Sequence, residues 1–262
     1  MSAGEGILLN PWKKETIMKG VILAGGLGTR LSPLTKVTNK HLLPVYDKPM
    51  IVYPIECLRN AGITDVLVVT GGKHAGAFVE LLGNGKTVGL RKLSFAYQEG
   101  EGGIADALRL AEDFADGGQI AVVLGDNIIE GNIAASVEAF RKQDKGARIL
   151  LKEVHDPQRF GVATMGTGGR VMKIVEKPKQ PESNLAVVGI YMYDNQVFDI
   201  IRPLQPSARG ELEITDVNNK YIAQGTMTAE VLQGWWTDAG TFESLYRATQ
   251  LVVERGANKM KL

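Results

Sequence analysis

Cysteine is nearly missing from this chain: Cys57 is the single one in 262 residues. That excludes an internal disulfide framework and any cysteine-based metal cluster. Cys57 falls in a helical apolar pattern and reads as a buried thiol. The three histidines, His41, His74 and His155, show no metal-ligand spacing. No apolar run approaches the length needed to span a membrane, and Ile7-Leu8-Leu9 is too short for a signal-peptide core. Charge of one sign is missing too. A formal net charge of +1 leaves no global field to hold a nucleic acid backbone. Internal repeats, low-complexity stretches and linkers do not occur. These absences point to a cytoplasmic protein with no membrane and no nucleic acid partner.

What is present is an ordinary soluble composition, 44% hydrophobic and 23% charged, in a length that suits one large domain. Strand-like and helical patterns alternate through the first half. Gly20–Ala24, Asp65–Thr70, Leu93–Gln98 and Ile120–Leu124 read as strands. Helices are expected over Pro49–Ala61, His74–Leu82, Ile104–Ala115 and Ile133–Arg141. Such alternation predicts an α/β fold with a doubly wound, mostly parallel sheet. The second half is less regular. Strand runs at Arg148–Glu153, Gly161–Thr164, Val171–Val175 and Val187–Tyr191 lie close together and should include antiparallel pairs. Helices near Gln196–Ile201 and Glu213–Gln224, a strand around Thr228–Leu232 and a last helix from about Thr241 complete the pattern. Residues 1–17 lack periodicity and read as a poorly ordered appendage. The rest, 18–262, reads as one domain with a first half to about 145 and a second from about 146.

The segment Val21-Ile22-Leu23-Ala24-Gly25-Gly26-Leu27-Gly28-Thr29-Arg30 carries the clearest chemistry. An apolar strand empties into a glycine-rich loop that ends in a hydroxyl and a fixed cation, and Lys40 follows. Bare amides in such a turn form a nest for anions. It is not a P-loop, because no Lys-Ser or Lys-Thr follows the glycines. Nor is it a complete dinucleotide fingerprint: Leu31 stands where a third small residue belongs. That missing residue argues against a nicotinamide-dependent dehydrogenase.

The string Leu23 to Leu31, followed by Asn39-Lys40-His41-Leu42-Leu43-Pro44, resembles the signature of the sugar-phosphate nucleotidyltransferases. Leu124-Gly125-Asp126-Asn127, Arg159-Phe160-Gly161-Val162, Glu176-Lys177-Pro178 and Pro206 to Asp216 resemble the glucose-1-phosphate thymidylyltransferase branch. Gly234-Trp235-Trp236-Thr237-Asp238-Ala239-Gly240-Thr241 is similar to the ending of its short form. The likeness runs from about Met18 to about Arg255. It implies a Rossmann-like nucleotide-diphospho-sugar transferase fold with a smaller, β-rich sugar-binding part. It also implies a reaction in which a sugar 1-phosphate attacks the α-phosphorus of a nucleoside triphosphate and releases pyrophosphate. The implied substrates are dTTP and glucose 1-phosphate, with Mg²⁺ as cofactor and a homo-oligomer, a tetramer by analogy, as the assembly.

Joining two anions calls for positioning and charge rather than a protein nucleophile. The resemblance gives the triphosphate to Arg30 and Lys40, with Leu23, Gly25, Gly26, Gly28 and Thr29 as the surrounding nucleotide loop. Without it, Arg30 and Lys40 are two solvated cations. Asp126, just past a buried strand, and Asp238 are implied to hold one Mg²⁺. On local sequence alone Asp238 also has a reading as an N-cap ahead of a helix. Gln98 offers a donor and an acceptor to the edge of a pyrimidine, and Gly103 a backbone contact to the same base. Asn127, Gly161, Glu176, Lys177 and Val187 are implied at the sugar, with Lys177 holding the attacking phosphate. Glu176-Lys177 alone would be an exposed ion pair at a strand end. Phe160 stands where many relatives carry Tyr, and Val188 where Thr is common, so sugar preference could be relaxed. His41 is left unassigned, and Trp235 and Trp236 read as packing. Two rival readings remain: the same chemistry with UTP, since Gln98 cannot easily sense the thymine methyl, and a catalytically silent sugar-nucleotide sensor.

Overall fold

In the computed structural model, residues 17–143 and 145–260 are described. The appendage expected over residues 1–17 therefore lies, apart from Ile17, outside the described residues. In chain order the elements begin with β1 (Lys19–Ala24), a short hairpin β2 (Pro44–Val45) and β3 (Lys48–Pro49), and α1 (Val52–Asn60). Next come β4 (Asp65–Gly71), α2 (Ala75–Leu82), β5 (Lys92–Gln98), α3 (Ile104–Arg109), α4 (Glu112–Ala115), β6 (Ile120–Leu124) and β7 (Asn127–Ile129). Then follow α5 (Ala134–Arg141), β8 (Ala147–Glu153), β9 (Gly161–Met165), β10 (Val171–Glu176) and β11 (Leu185–Tyr193). The last are α6 (Gln196–Ile201), α7 (Ile214–Ala223), β12 (Met227–Val231), β13 (Trp236–Asp238) and α8 (Phe242–Arg255).

β5, β4, β1 and β6 lie side by side and parallel, as the alternating first half predicts. Their apolar runs are continuous because both faces are covered. On β1, Ile22 and Ala24 face a core that includes Ile55, Leu58 and Phe78. Val21 and Leu23 face another that includes Leu108, Phe198 and Tyr221. The second half supplies the antiparallel pairs: β11 against β6, β8 and β9, and β9 against β10. Through β11 both halves share one mixed sheet.

Three departures from the sequence pattern have local causes. α1 starts after Pro49, because Lys48 and Pro49 are held extended in β3, where Val45 pairs with Lys48 and Pro44 with Pro49. The helix expected over Ile104–Ala115 breaks into α3 and α4, where Leu110 and Ala111 donate three residues back. The β7–β13 pair, Trp236↔Ile129 to Asp238↔Asn127, has no counterpart in the sequence pattern, since strands of three residues leave no period. It matters most for function, because it sets Asp238 beside Asp126.

The strand order turns back at β1: β4 and β5 extend to one side and β6 lies on the other. In open α/β sheets ligands bind beyond the carboxyl ends of the strands at such a point. The glycine loop leaves the end of β1, and Asp126 follows the end of β6. Leu23 and Leu124 are register partners, and the Gly125 amide donates to the Leu23 carbonyl at 2.9 Å.

Candidate active site

A cavity of about 510 Å³ opens at these strand ends. Of the residues singled out from sequence, Leu23, Gly25, Gly26, Thr29, Arg30, Lys40, Gln98 and Gly103 line one side of it. Asp126, Asn127 and Asp238 line it between β6 and β13, and Gly161, Glu176, Lys177 and Val187 line its far side. Gly28 is the exception. It sits behind the loop with φ +63°, and its carbonyl accepts from Thr35 Oγ1 at 2.9 Å. A side chain there would strike Thr35 and Lys40, so Gly28 shapes the loop rather than its cavity face.

One largely buried pair anchors the charge pattern. Lys40 Nζ donates to Asp126 Oδ2 at 2.6 Å, with both side chains largely covered. Burial, the largest single influence, works to raise the Asp126 carboxyl, but the Lys40 and His41 charges with the Lys40 and Asn127 hydrogen bonds together outweigh it, so the group is held below the usual carboxylate range. Asp238 moves the other way: burial first, and then the nearby Asp126 charge, push it up. A Cβ on Gly240 would lie 3.5 Å from Asp126 Oδ2, 3.6 Å from Asp238 Oδ2 and 3.0 Å from Arg30 Nη2. Two carboxylates and the Arg30 guanidinium thus surround a space that glycine leaves open. A divalent ion of the Mg²⁺ type takes few protein carboxylates and completes its shell with phosphate oxygens and water. This donor set fits that habit. No group of three or more His, Cys, Asp or Glu suited to a metal occurs among the described residues.

Asn127 is committed to the frame. Its Oδ1 accepts from the Gly189 amide at 3.0 Å and from Trp236 Nε1 at 2.8 Å, and its Nδ2 donates to Asp126 Oδ1 at 3.0 Å. It therefore ties β7, β11 and β13 together while bordering the cavity. Trp236 packs on Phe160, with ring centroids 5.1 Å apart, and also lines the cavity, so it does more than fill the core. Asp238 ends β13 and does not cap α8. That cap is Thr241, whose hydroxyl accepts from the Ser244 amide.

On the far side Glu176 Oε2 accepts from Thr215 Oγ1 at 2.8 Å. Lys177 Nζ lies 3.7 Å from Glu176 Oε1, and Arg209 Nη2 lies 3.6 Å from the same oxygen. Two cations therefore stand by the Glu176 carboxylate. Arg159, on the exposed rim, reaches Asp238 Oδ1 at 3.3 Å and Asp156 at 2.8 Å, and stacks over Phe160.

Several of these groups escaped the sequence reading. Arg159 and Arg209 carry no local mark in the sequence that separates them from surface arginines. Thr215 reaches the cavity wall only through folding. His41 is buried against Gly125 and lines the cavity; burial first, and then Lys40, lower its pKa to about 3, so its imidazole is neutral at pH 7.

Residues 19–255 match the nucleotidyl transferase family model. The chain belongs to the nucleotidyl transferase family. A Neisseria gonorrhoeae relative named glucose-1-phosphate thymidylyltransferase is 44% identical over 238 residues, which is 90% of this chain and 82% of that one. A Mycolicibacterium smegmatis relative with the same name is 45% identical over 238 residues, with the same coverage. Among solved structures, one from Bacillus anthracis, provisionally assigned as a glucose-1-phosphate thymidylyltransferase and holding sucrose, superposes with TM-score 0.87 at 50% identity. It covers 93% of this chain, and 98% of that one is matched. A UDP-glucose pyrophosphorylase complexed with UDP-glucose shares the fold, with TM-score 0.79 at 24% identity over 91% of this chain and 99% of that one. In this nucleotidyl transferase the glycine loop, the paired aspartates and the Glu176-Lys177 strand end thus meet in one cavity. Among the described residues no helix is long and apolar enough to cross a membrane.

Proposed function

We propose that this chain makes dTDP-glucose and pyrophosphate from dTTP and glucose 1-phosphate. The observation that supports this most directly is the convergence of two separate cation groups on one cavity. Arg30 and Lys40 line the cavity at the glycine loop, and Lys177 lines its far side, where Arg209 Nη2 lies 3.6 Å from Glu176 Oε1. Relatives at 44–45% identity carry the name of that activity.

In the proposed reaction the loop amides, Thr29 and Arg30 hold the triphosphate, and Arg30's planar fork suits the β- and γ-phosphates. Lys177 holds the sugar phosphate, and Glu176 accepts hydrogen bonds from sugar hydroxyls. A phosphate oxygen of the sugar phosphate forms a bond to the α-phosphorus. The bond from that phosphorus to the β-phosphate oxygen breaks, and pyrophosphate leaves with the electron pair. Lys40 stabilises charge at the α-phosphate. Asp126 and Asp238 would hold Mg²⁺, which when bound supplies positive charge to the phosphate oxygens. The nucleotide side corresponds to residues up to about 145 and the sugar side to those from about 146. We also propose a homotetramer in solution, which light scattering would report as four times the monomer mass.

Pyrophosphate release, measured for four nucleoside triphosphates against several sugar 1-phosphates with Mg²⁺, tests the reading. A maximum at dTTP with glucose 1-phosphate supports it. A maximum with UTP moves the enzyme to uridylyl transfer, and the methyl that separates the two is worth only about 1–3 kcal/mol in an apolar pocket. No release with any pair would leave a silent sugar-nucleotide binder. Phe160 brings no hydroxyl to the sugar side, so other hexose 1-phosphates are expected to serve more weakly rather than not at all.

A further inference from the structure

The Gln98 side chain is buried at the end of β5, and its amide borders the cavity. Its Nε2 donates to Asp106 Oδ2 at 2.7 Å and to the Gly103 carbonyl at 3.3 Å. Both partners are acceptors, so turning the amide over would set Oε1 against two oxygens. The orientation is therefore fixed by chemistry: an amide flip is assigned from its hydrogen-bond network. Oε1 is left facing the glycine loop, where a Cβ on Gly25 would lie 2.6 Å from it. The sequence suggested that Gln98 offers a donor and an acceptor together. In the fold both its N–H groups are engaged, and it presents the acceptor.

Asp106 is built into this arrangement. It lies in the first turn of α3, almost fully buried. Its Oδ1 is taken by Arg109 Nη2 at 2.9 Å, which leaves Oδ2 for Gln98. A Cβ on Gly102 would overlap the Asp106 carboxylate, so the chain keeps that approach clear. Among the pyrimidines, thymine and uracil carry a ring N–H between two carbonyls, whereas the same position of cytosine is an acceptor. A fixed acceptor in the pocket pairs with the first and opposes the second. A buried polar group left unpaired discriminates far more strongly than a missing methyl.

We propose that Asp106 is a positioning residue that locks the Gln98 amide with its oxygen toward the cavity, and thereby makes the site take thymine or uracil nucleotides and refuse cytosine. This rests on the nucleotide reading of the cavity given above. The test compares kcat/KM for dTTP and dCTP, with glucose 1-phosphate, in the wild type, Asp106→Asn and Arg109→Gln. An asparagine can turn its own amide and donate to Gln98 Oε1, which frees the glutamine to flip. Asp106→Asn should lower the dTTP-to-dCTP ratio by at least about tenfold, through a fall in KM for dCTP with kcat little changed. Arg109→Gln removes the ion pair but keeps the carboxylate, and should leave the ratio within about threefold. A general structural defect would change both nucleotides alike. A folded Asp106→Asn enzyme with the wild-type ratio overturns the inference and leaves the thymidylyl reading intact. A wild type that turns over no pyrimidine nucleotide overturns that reading and this inference with it.

Discussion

At the scale of single residues, Asp126 carries two duties. It pairs with Lys40 inside the fold, and it faces the open space beside Gly240. Asp126→Asn keeps an oxygen for Lys40 but brings no charge to a divalent ion. It should lower kcat by about 10²–10³-fold, as for loss of one preorganised electrostatic group, while thermal melting shows an intact fold. Activity within a few-fold of wild type at saturating Mg²⁺ would remove Asp126 from the metal site. His41 gives a pH prediction. Its native pKa of about 3 is below the ordinary 6.5, so between these values the unfolded chain binds the proton and the native one does not. Stability is therefore lost as pH falls through that window, by up to about 1.4 kcal/mol per pH unit. In urea unfolding, the wild type should lose about 2 kcal/mol more than His41→Gln between pH 7 and about pH 5. Parallel losses would place the protonation elsewhere. Residue identities were legible from sequence where a motif supplied them, as for Arg30, Lys40 and Asp126. Asp106 and Thr215 were not, because the contact that gives each a purpose spans 8 and 39 positions of chain.

At the scale of elements, the sequence marks long elements well and short ones poorly. β4, with all seven residues buried, and β6, almost entirely buried, announce themselves as apolar runs. β7 and β13 do not, and the two aspartates could not be seen as neighbours until that pairing was known. The turn from β13 to α8 is equally specific. Gly240→Ala puts a methyl into the space between Asp126, Asp238 and Arg30, and should raise the Mg²⁺ concentration needed for half-maximal rate by about tenfold or more. Thr241→Ala, one residue on, removes the α8 cap and should cost about 1 kcal/mol of stability. A Mg²⁺ titration and a melting curve on each variant separate the two effects. If Gly240→Ala changed only stability, the space beside it would have no part in binding the ion.

At the scale of the whole molecule, the parallel half was readable because βα alternation admits few arrangements. The far half was not, because closely spaced strands admit many pairings. In the fold β11 joins both: it runs against β8 on one edge, and against β6 and then β9 on the other. It thereby carries Val187 and Gly189 to the same cavity that the glycine loop opens. In the reaction proposed above, that shared sheet brings the two substrates together with no protein nucleophile between them. A single-turnover experiment with dTTP labelled at the α-phosphorus, enzyme in excess, with and without glucose 1-phosphate, tests this most directly. The account predicts that label appears in dTDP-glucose with equimolar pyrophosphate only when the sugar phosphate is present, and never on the protein. Pyrophosphate released without the sugar, with label left on the chain, would contradict it.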